Sequence, residues 1–498
     1  LSYLGLDIGT GGCKAVVFSS ERTELASAYR EYPVSHPRPD WAELDPEEVI
    51  NKCFEVIADV NSRISDPVAA MCISSQGEAF TPVDSHGRIL GNAMVSSDSR
   101  AGDIASDWSR QFGTGRIYRI TGHTPHPLFT LFKILWIKRN NPGAWTNARY
   151  FLCFEDLFHF RAGIEPRISW PLAGRTMLFD VGTHSWSPEI LDAIGLDAGR
   201  LAIPAPSGEI TGTIEKELGA RLGFRNPVVL VAGGHDQTCA ALGAGVIDTG
   251  MCMYATGSVE CFCPVLDKPS FSPELQENNL CCYDYTLKGK STSVAYSLTG
   301  GNILRWMRDE LGKPETELAK STGQNAYSLL LDQMPDTPSE LLVLPYFSAT
   351  GTPYFDTKAQ GAILGLRHTT SKGEITRALL EGVALEMKLN LMLMEKSGMK
   401  ISTFIATGGG TRNHKWNQLK ADVLNKDIIV REISEAGCFG AAMLAMSADR
   451  NTPVSELVSG GLSGNIIFRP DEAKAGVYDR KFSSYRELYP ALKQFWNA

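Results

Sequence analysis

Two stretches of this chain repeat one pattern, and that repetition restricts the fold more than any other feature. Val228-Val-Leu-Val-Ala232 is an unbroken apolar run that halts at Gly233-Gly234. It then passes into the small-residue segment His235-Asp236-Gln237-Thr-Cys-Ala-Ala-Leu-Gly-Ala-Gly245. Phe404-Ile-Ala-Thr407 likewise runs into Gly408-Gly409-Gly410, followed by a helical pattern with Trp416, Leu419, Val423 and Leu424 on one face. An unbroken apolar run suits a strand buried on both faces of a parallel or mixed sheet covered by helices. The small residues suit a helix packed close against its neighbours. The repeat therefore predicts an α/β protein built as two copies of one architecture. Asp236 falls at a helix start, where its carboxylate can cap free amides or stand in a cleft at the strand's carboxyl end.

Each half also opens on a hairpin. Tyr3–Ile8, Lys14–Phe18 and Leu25–Arg30 read as a three-stranded meander whose first turn is Gly9-Thr10-Gly11-Gly12. Glycines there permit positive φ, and a concave run of amides suits phosphate oxygens. Asp7, just before the turn, is well placed to hold Mg²⁺. In the second half, Met251 to Cys263 reads as strand, Thr256-Gly257 turn, strand.

Between these landmarks, Asp45-Pro46-Glu47-Glu48 opens a helix with an N-cap and a first-turn proline. Val68–Ser74 and the run to Val95 end in polar groups, Gln76-Gly77-Glu78 and Asp98, which are either substrate contacts or solvated loops. Phe129–Ile137 is an amphipathic helix, with Lys133 read as a surface or cleft-rim residue. Ile375, Leu379, Val383, Met387, Leu391 and Met394 mark a long buried helix stopped at Gly398.

A chain of 498 residues exceeds one typical domain. The boundaries expected are 1–247, 248–450 and a helical C-terminal appendage over 451–498. A net charge of −8 gives no support to nucleic-acid binding, and no apolar run approaches the ~20 residues that span a bilayer. The first residues carry no signal-peptide pattern. The eleven cysteines, many inside apolar runs, read as reduced, buried thiols of a cytoplasmic protein. Cys261/Cys263 and Cys281/Cys282 lack zinc-ligand spacing.

Taken in order, several motifs resemble the FGGY carbohydrate kinases, within the actin-like and hexokinase-like ATP-binding folds. They are Gly5-Leu-Asp7-Ile-Gly9-Thr10, Lys133-Ile-Leu-Trp136, Gly233-Gly-His-Asp236, Ala255-Thr-Gly257, Leu344–Pro353, Gly361–Leu366 and Gly408–Asn413. The resemblance runs from Tyr3 to about Ala448. It implies two duplicated actin-like (ribonuclease H-like) domains, with mixed sheets flanked by helices and an active-site cleft between them. It also implies ATP-dependent phosphorylation of a small sugar or polyol, and it allows a homodimer without requiring one.

On this resemblance Asp236 is the general base, ionised at neutral pH near its reference pKa. Asp7 would hold Mg²⁺, with Asp236 sharing it. Thr10, Gly11 and Gly12 would cradle phosphate with Lys14 nearby, and Thr256 and Gly257 would meet the phosphates from the second half. Gly301 would approach the nucleotide, and Gly409 and Asn413 would face the adenosine. Substrate contacts fall on Gln76, Gly77, Glu78, Asp98, Asp236 and Gln237.

Glu78 and Asp236-Gln237 resemble the family's glycerol kinases. Gly77, Leu128 and Ser96, however, stand where those enzymes carry Arg, Tyr and Trp. Xylulose kinases carry Met-His at 77–78 and Trp-Asn at 96–97. Small residues at 77 and 96 would widen the pocket, which favours a xylulokinase-like pentulose kinase acting on a sugar such as D-xylulose. Another ketose, or a polyol of the erythritol or glycerol type, is the alternative substrate. An actin- or chaperone-like nucleotide-driven module would share the hairpins without needing Asp236, Glu78 and Asp98 to converge. A phosphohydrolase reading of His235-Asp236 would need further ligands at helical spacing.

Overall fold

The computed structural model describes residues 1–433, 435–460 and 464–496. Twelve strands form two six-stranded sheets. The first takes β1 (Ser2–Ile8), β2 (Gly12–Ser19), β3 (Glu24–Glu31), β4 (Val68–Ser75), β5 (Ile210–Thr213) and β6 (Val229–His235). The second takes β7 (Met251–Thr256), β8 (Glu260–Pro264), β9 (Ala295–Ser297), β10 (Thr403–Thr407), β11 (Asp427–Val430) and β12 (Ile466–Phe468). The helices that matter below are α1 (Pro46–Ser62), α2 (Thr130–Asn140), α3 (Phe154–Arg161), α4 (Trp170–Gly174) and α5 (Asp236–Gly243) in the first half. In the second they are α6 (Gly301–Trp306), α7 (Lys372–Lys396), α8 (His414–Leu424), α9 (Ala436–Arg450) and α10 (Glu472–Leu492).

The strand orders are β5-β6-β4-β1-β2-β3 and β12-β11-β10-β7-β8-β9. In each sheet the three middle strands run parallel and the outer pairings are antiparallel. The duplication expected from the repeated strand–glycine–helix pattern is thus present strand for strand. The last segment does more than append a helix: β12 closes the second sheet against β11, and α10 buries Tyr478, Tyr485 and Tyr489 against that half's core. The first copy's outer strand, β5, precedes its neighbour β6 in the chain. The second copy's equivalent, β12, follows β11 after α9.

Local signals match their elements. Asp45 caps α1, accepting from the Glu47 and Glu48 amides at 2.9 and 3.4 Å. Leu379, Val383, Met387, Leu391 and Met394 are buried along α7, and Gly398 beyond it has φ +91°. All eleven cysteines are free and buried. Lys133 departs from expectation: it is fully buried in α2, and its Nζ donates to the carbonyls of Glu78, Met94 and Val95 at 3.4, 3.2 and 3.0 Å.

The halves are joined by α5 and α9, which cross where both are glycine. A Cβ on Gly243 would stand 1.9 Å from the Ala436 carbonyl oxygen, and one on Gly440 would stand 2.2 Å from that of Cys239. Although α9 lies in sequence between β11 and β12 of the second sheet, it packs on β1 and β4 of the first. The small residues after Asp236 serve this crossing.

Candidate active site

Parallel neighbours β1, β4 and β6 end in one row, with Ile8, Ser75 and His235 in register. The segments that follow them therefore meet at one edge, the usual place for a ligand in an α/β sheet. They are the Gly9–Gly12 turn, Gln76-Gly77-Glu78 and Asp236.

A bulge aims Asp236. The register of β6 on β4 slips between Val231 and Gly234, which frees the Gly233 amide from the ladder. That amide donates to Glu155 Oε1 at 2.7 Å, and Glu155 Oε2 accepts from the amide and hydroxyl of Ser169. A Cβ on Gly233 would lie 1.6 Å from the Ile73 carbonyl oxygen, so only glycine fits. Asp236 is the first residue of α5, not its cap: His235 holds that place and makes no side-chain cap.

Asp236 Oδ1 is buried without a hydrogen bond, although His235 Nε2 lies 3.2 Å away, while the side chain keeps 34% of its surface open. Burial, with the Asp7 and Glu78 carboxylates nearby, pushes Asp236 up to about 7. The expected unperturbed ionisation is thereby corrected: the carboxyl is poised near neutrality. The neighbouring Gln237 Oε1 is also buried and unpartnered. His235 is pushed down to about 3 by burial and by Arg175, and its Nδ1 pairs with the Tyr283 hydroxyl at 2.9 Å.

Glu78 is walled in. Ser96 Oγ donates to its Oε2 at 2.6 Å, and Arg175, just beyond α4, donates from Nε at 2.7 Å and from Nη2 to its Oε1. Burial opposes ionisation, but Arg175, Lys133 and the serine hold Glu78 down at about 2. Arg175 lies 5.2 and 5.6 Å from the Phe129 and Tyr283 ring centres. A Cβ at Gly77 would touch Arg175 Cβ and Cγ and His235 Cδ2, each at 3.4 Å. Arg175 and His235 thus border Gly77 at van der Waals distance, and Ser96 is tied to Glu78.

Two other proposed substrate contacts are already spent. Asp98 is sealed, accepting from the Ala42 amide at 2.8 Å and from Arg100 at 2.6–2.9 Å through Nε and Nη2, with Trp41 stacked on that guanidinium at 3.6 Å. In this structure its side chain is fully buried in the ion pair with Arg100. Gln76 ties the wall to the hairpin, donating to the Gly9 carbonyl at 3.0 Å and accepting from Thr10 Oγ1 at 3.2 Å.

In the hairpin, Gly9, Gly11 and Gly12 all avoid positive φ. Gly12 is favoured by packing instead, because a Cβ would sit 2.7 Å from the Arg30 carbonyl oxygen. Thr10 and Gly11 are exposed, and a Cβ on Gly11 meets nothing within 4 Å. Lys14 pairs with Glu435 of the second half at 2.5 Å. Ser74 Oγ donates to Asp7 Oδ1 at 2.6 Å, and burial raises the Asp7 pKa. Asp7 and Asp236 offer hard carboxylate oxygens, the donor set that suits a magnesium ion held by one or two carboxylates plus phosphates.

In the second half, Thr256, Gly257, Gly301, Gly409 and Asn413 line one cavity of about 390 Å³. Leu304, Tyr327, Leu331 and Trp416 add apolar and aromatic wall. Gly301 packs on the turn, where a Cβ would lie 2.6 Å from the Gly257 carbonyl oxygen. Asn413 Oδ1 caps α8 by accepting from the Trp416 amide at 3.0 Å. The Thr256 hydroxyl is turned inward onto Lys420 rather than outward. Arg175, Tyr283, Glu155 and Lys420 were missed by sequence reasoning. None sits in a glycine turn or beside a recognisable motif, so no local signal marks them.

One half thus carries a carboxylate at a strand end, and its duplicate carries a glycine-lined cavity. The model of the N-terminal domain of the FGGY family of carbohydrate kinases matches residues 2–243, and that of the C-terminal domain residues 243–448. The chain belongs to this family and is an ATP-dependent carbohydrate kinase. It is 27% identical to the xylulose kinase of Escherichia coli, across 98% of this chain and 99% of that one. It is 30% identical to the glycerol kinase of Thermococcus onnurineus, across 99% and 96%. A solved structure described as a xyloylose kinase from Brucella ovis superposes with a TM-score of 0.89 at 26% identity, covering 99% of this chain and 100% of that one. Among the described residues no helix is long and apolar enough to cross a membrane.

Proposed function

We propose that the enzyme phosphorylates a hydroxyl of a neutral, open-chain polyhydroxy substrate, a pentulose such as D-xylulose, with Asp236 as general base. One observation carries the reading: the wall beside Asp236 offers acceptors but no uncommitted cation among the described residues. Arg175 is bound to Glu78, and Lys133 is spent on three carbonyls. His123, His126 and His235 are held neutral by burial. A sugar acid would bring a carboxylate to Asp236 and Glu78 with nothing to balance it. A neutral polyol or ketose can donate a hydroxyl to Asp236, whose side chain is 34% open, without adding charge beside Glu78.

The Asp236 carboxylate, whose side chain keeps 34% of its surface open, takes the proton of the attacking hydroxyl, while the Arg175–Glu78 pair and Gln237 orient the rest of the chain of hydroxyls. Thr10 and Gly11 on one side and the Thr256-Gly257 turn on the other close on the phosphates of ATP. Asp7 and Asp236 would hold magnesium, which when bound neutralises phosphate charge. A screen of ADP release over pentuloses, hexuloses, tetritols, pentitols, glycerol and aldonates tests this. Turnover is expected with a neutral pentulose, and a response to aldonates alone overturns the charge argument.

A further inference from the structure

Lys420 of α8 is a cation where none is expected. It is 2% exposed, and its Nζ lies 2.7 Å from Oε1 of the fully buried Glu260. It donates to Thr256 Oγ1 and stands 4.2 and 4.4 Å over the rings of Tyr254 and Trp416. The Tyr254 hydroxyl donates to Glu260 Oε2, which completes the network. A buried ion pair contributes little net stability against an apolar replacement, so its retention calls for a geometric use.

That use is visible in what Thr256 touches. A Cβ on Gly410 would lie 2.3 Å from Thr256 Cγ2, and one on Gly408 would lie 2.5 Å from its carbonyl oxygen. Thr256 is thus the spacer between the two glycine turns that line the nucleotide cavity, and Trp416 is a wall of the same cavity. An ammonium has three donors and no acceptor, so Thr256 must accept from it and its side chain is held inward.

We infer that Lys420 is a positioning residue for the nucleotide. It sets the Thr256-Gly257 turn, the Gly408–Gly410 turn and Trp416 in one geometry without touching the ligand. This rests on the reading of that cavity as the nucleotide site.

The test is ADP, ATP and adenosine binding by calorimetry, together with steady-state kinetics, on the full chain. Lys420→Met alone leaves Glu260 buried and unpaired, so the informative variant is Lys420→Met with Glu260→Gln, which keeps an acceptor for Tyr254. It should fold with a near-native melting temperature. ADP affinity should fall about tenfold, which is about 1.4 kcal/mol, and the KM for ATP should rise while the KM for the sugar stays unchanged. Adenosine binding should change less than ADP binding. A folded double variant with wild-type ADP affinity overturns the inference. Ser328→Trp separates the two readings, since this residue lines the cavity. If it leaves ADP binding intact, the cavity assignment itself falls. If it blocks ADP while the double variant binds normally, only the role of Lys420 falls.

Discussion

At the residue scale the decisive group is the Asp236 carboxylate, part open and part buried at the end of a bulged strand. Asp236→Asn should lower kcat by about 10²- to 10⁴-fold, the usual worth of a general base, with ADP affinity nearly unchanged. Retained activity with bound nucleotide would remove Asp236 from the role. Its pKa, raised to about 7, adds a sign. The ionised form is the base, so kcat/KM should climb as pH rises towards about 7 and level off above it. The same shift acts oppositely on stability. The folded state holds the proton more tightly than the unfolded one, so ionisation costs stability as pH rises from about 4 to about 7. Over that range the melting temperature of Asp236→Asn should gain on the wild type, and parallel curves would contradict the shift.

At the element scale, the sequence repeat was legible because strands, glycine turns and helices are specified locally. Val229–His235 and Thr403–Thr407 both proved to be parallel inner strands running into glycine turns. The final segment was only partly legible. Its helix showed, but Ile466–Phe468 has too few residues to announce a strand, and only its pairing with β11 makes it one. Ending the chain at Arg450 should therefore expose β11 and strip Tyr478, Tyr485 and Tyr489 from the second core. The truncated protein is expected to be insoluble or to lose cooperative melting. A soluble, active truncation would show that the segment is dispensable.

At the scale of the whole molecule, two sheets are joined by helices that cross glycine on glycine, a contact that can act as a pivot. Closure over the acceptor would exclude water from the phosphoryl group. ATP hydrolysis without sugar should accordingly be slow, and sugar plus ADP should reduce the radius of gyration in solution scattering. Sugar-independent hydrolysis at the kinase rate would contradict this. So would a radius unmoved by both ligands.

The sequence by itself determined the class: duplicated α/β halves, glycine turns at strand ends, and Asp236 at the start of a helix. These are properties of short stretches, whose patterns follow from backbone conformation and local burial. Tertiary structure alone decided which polar groups remain free. Asp98 and Glu78 look equally available in the chain, yet Arg100 seals one and Arg175 braces the other from 97 residues away. Lys133 reads as a rim residue but is buried, and Asp236 reads as an ordinary carboxylate but is poised near neutrality. Charge state and hydrogen-bond capacity depend on neighbours brought together by folding, and no local pattern encodes them.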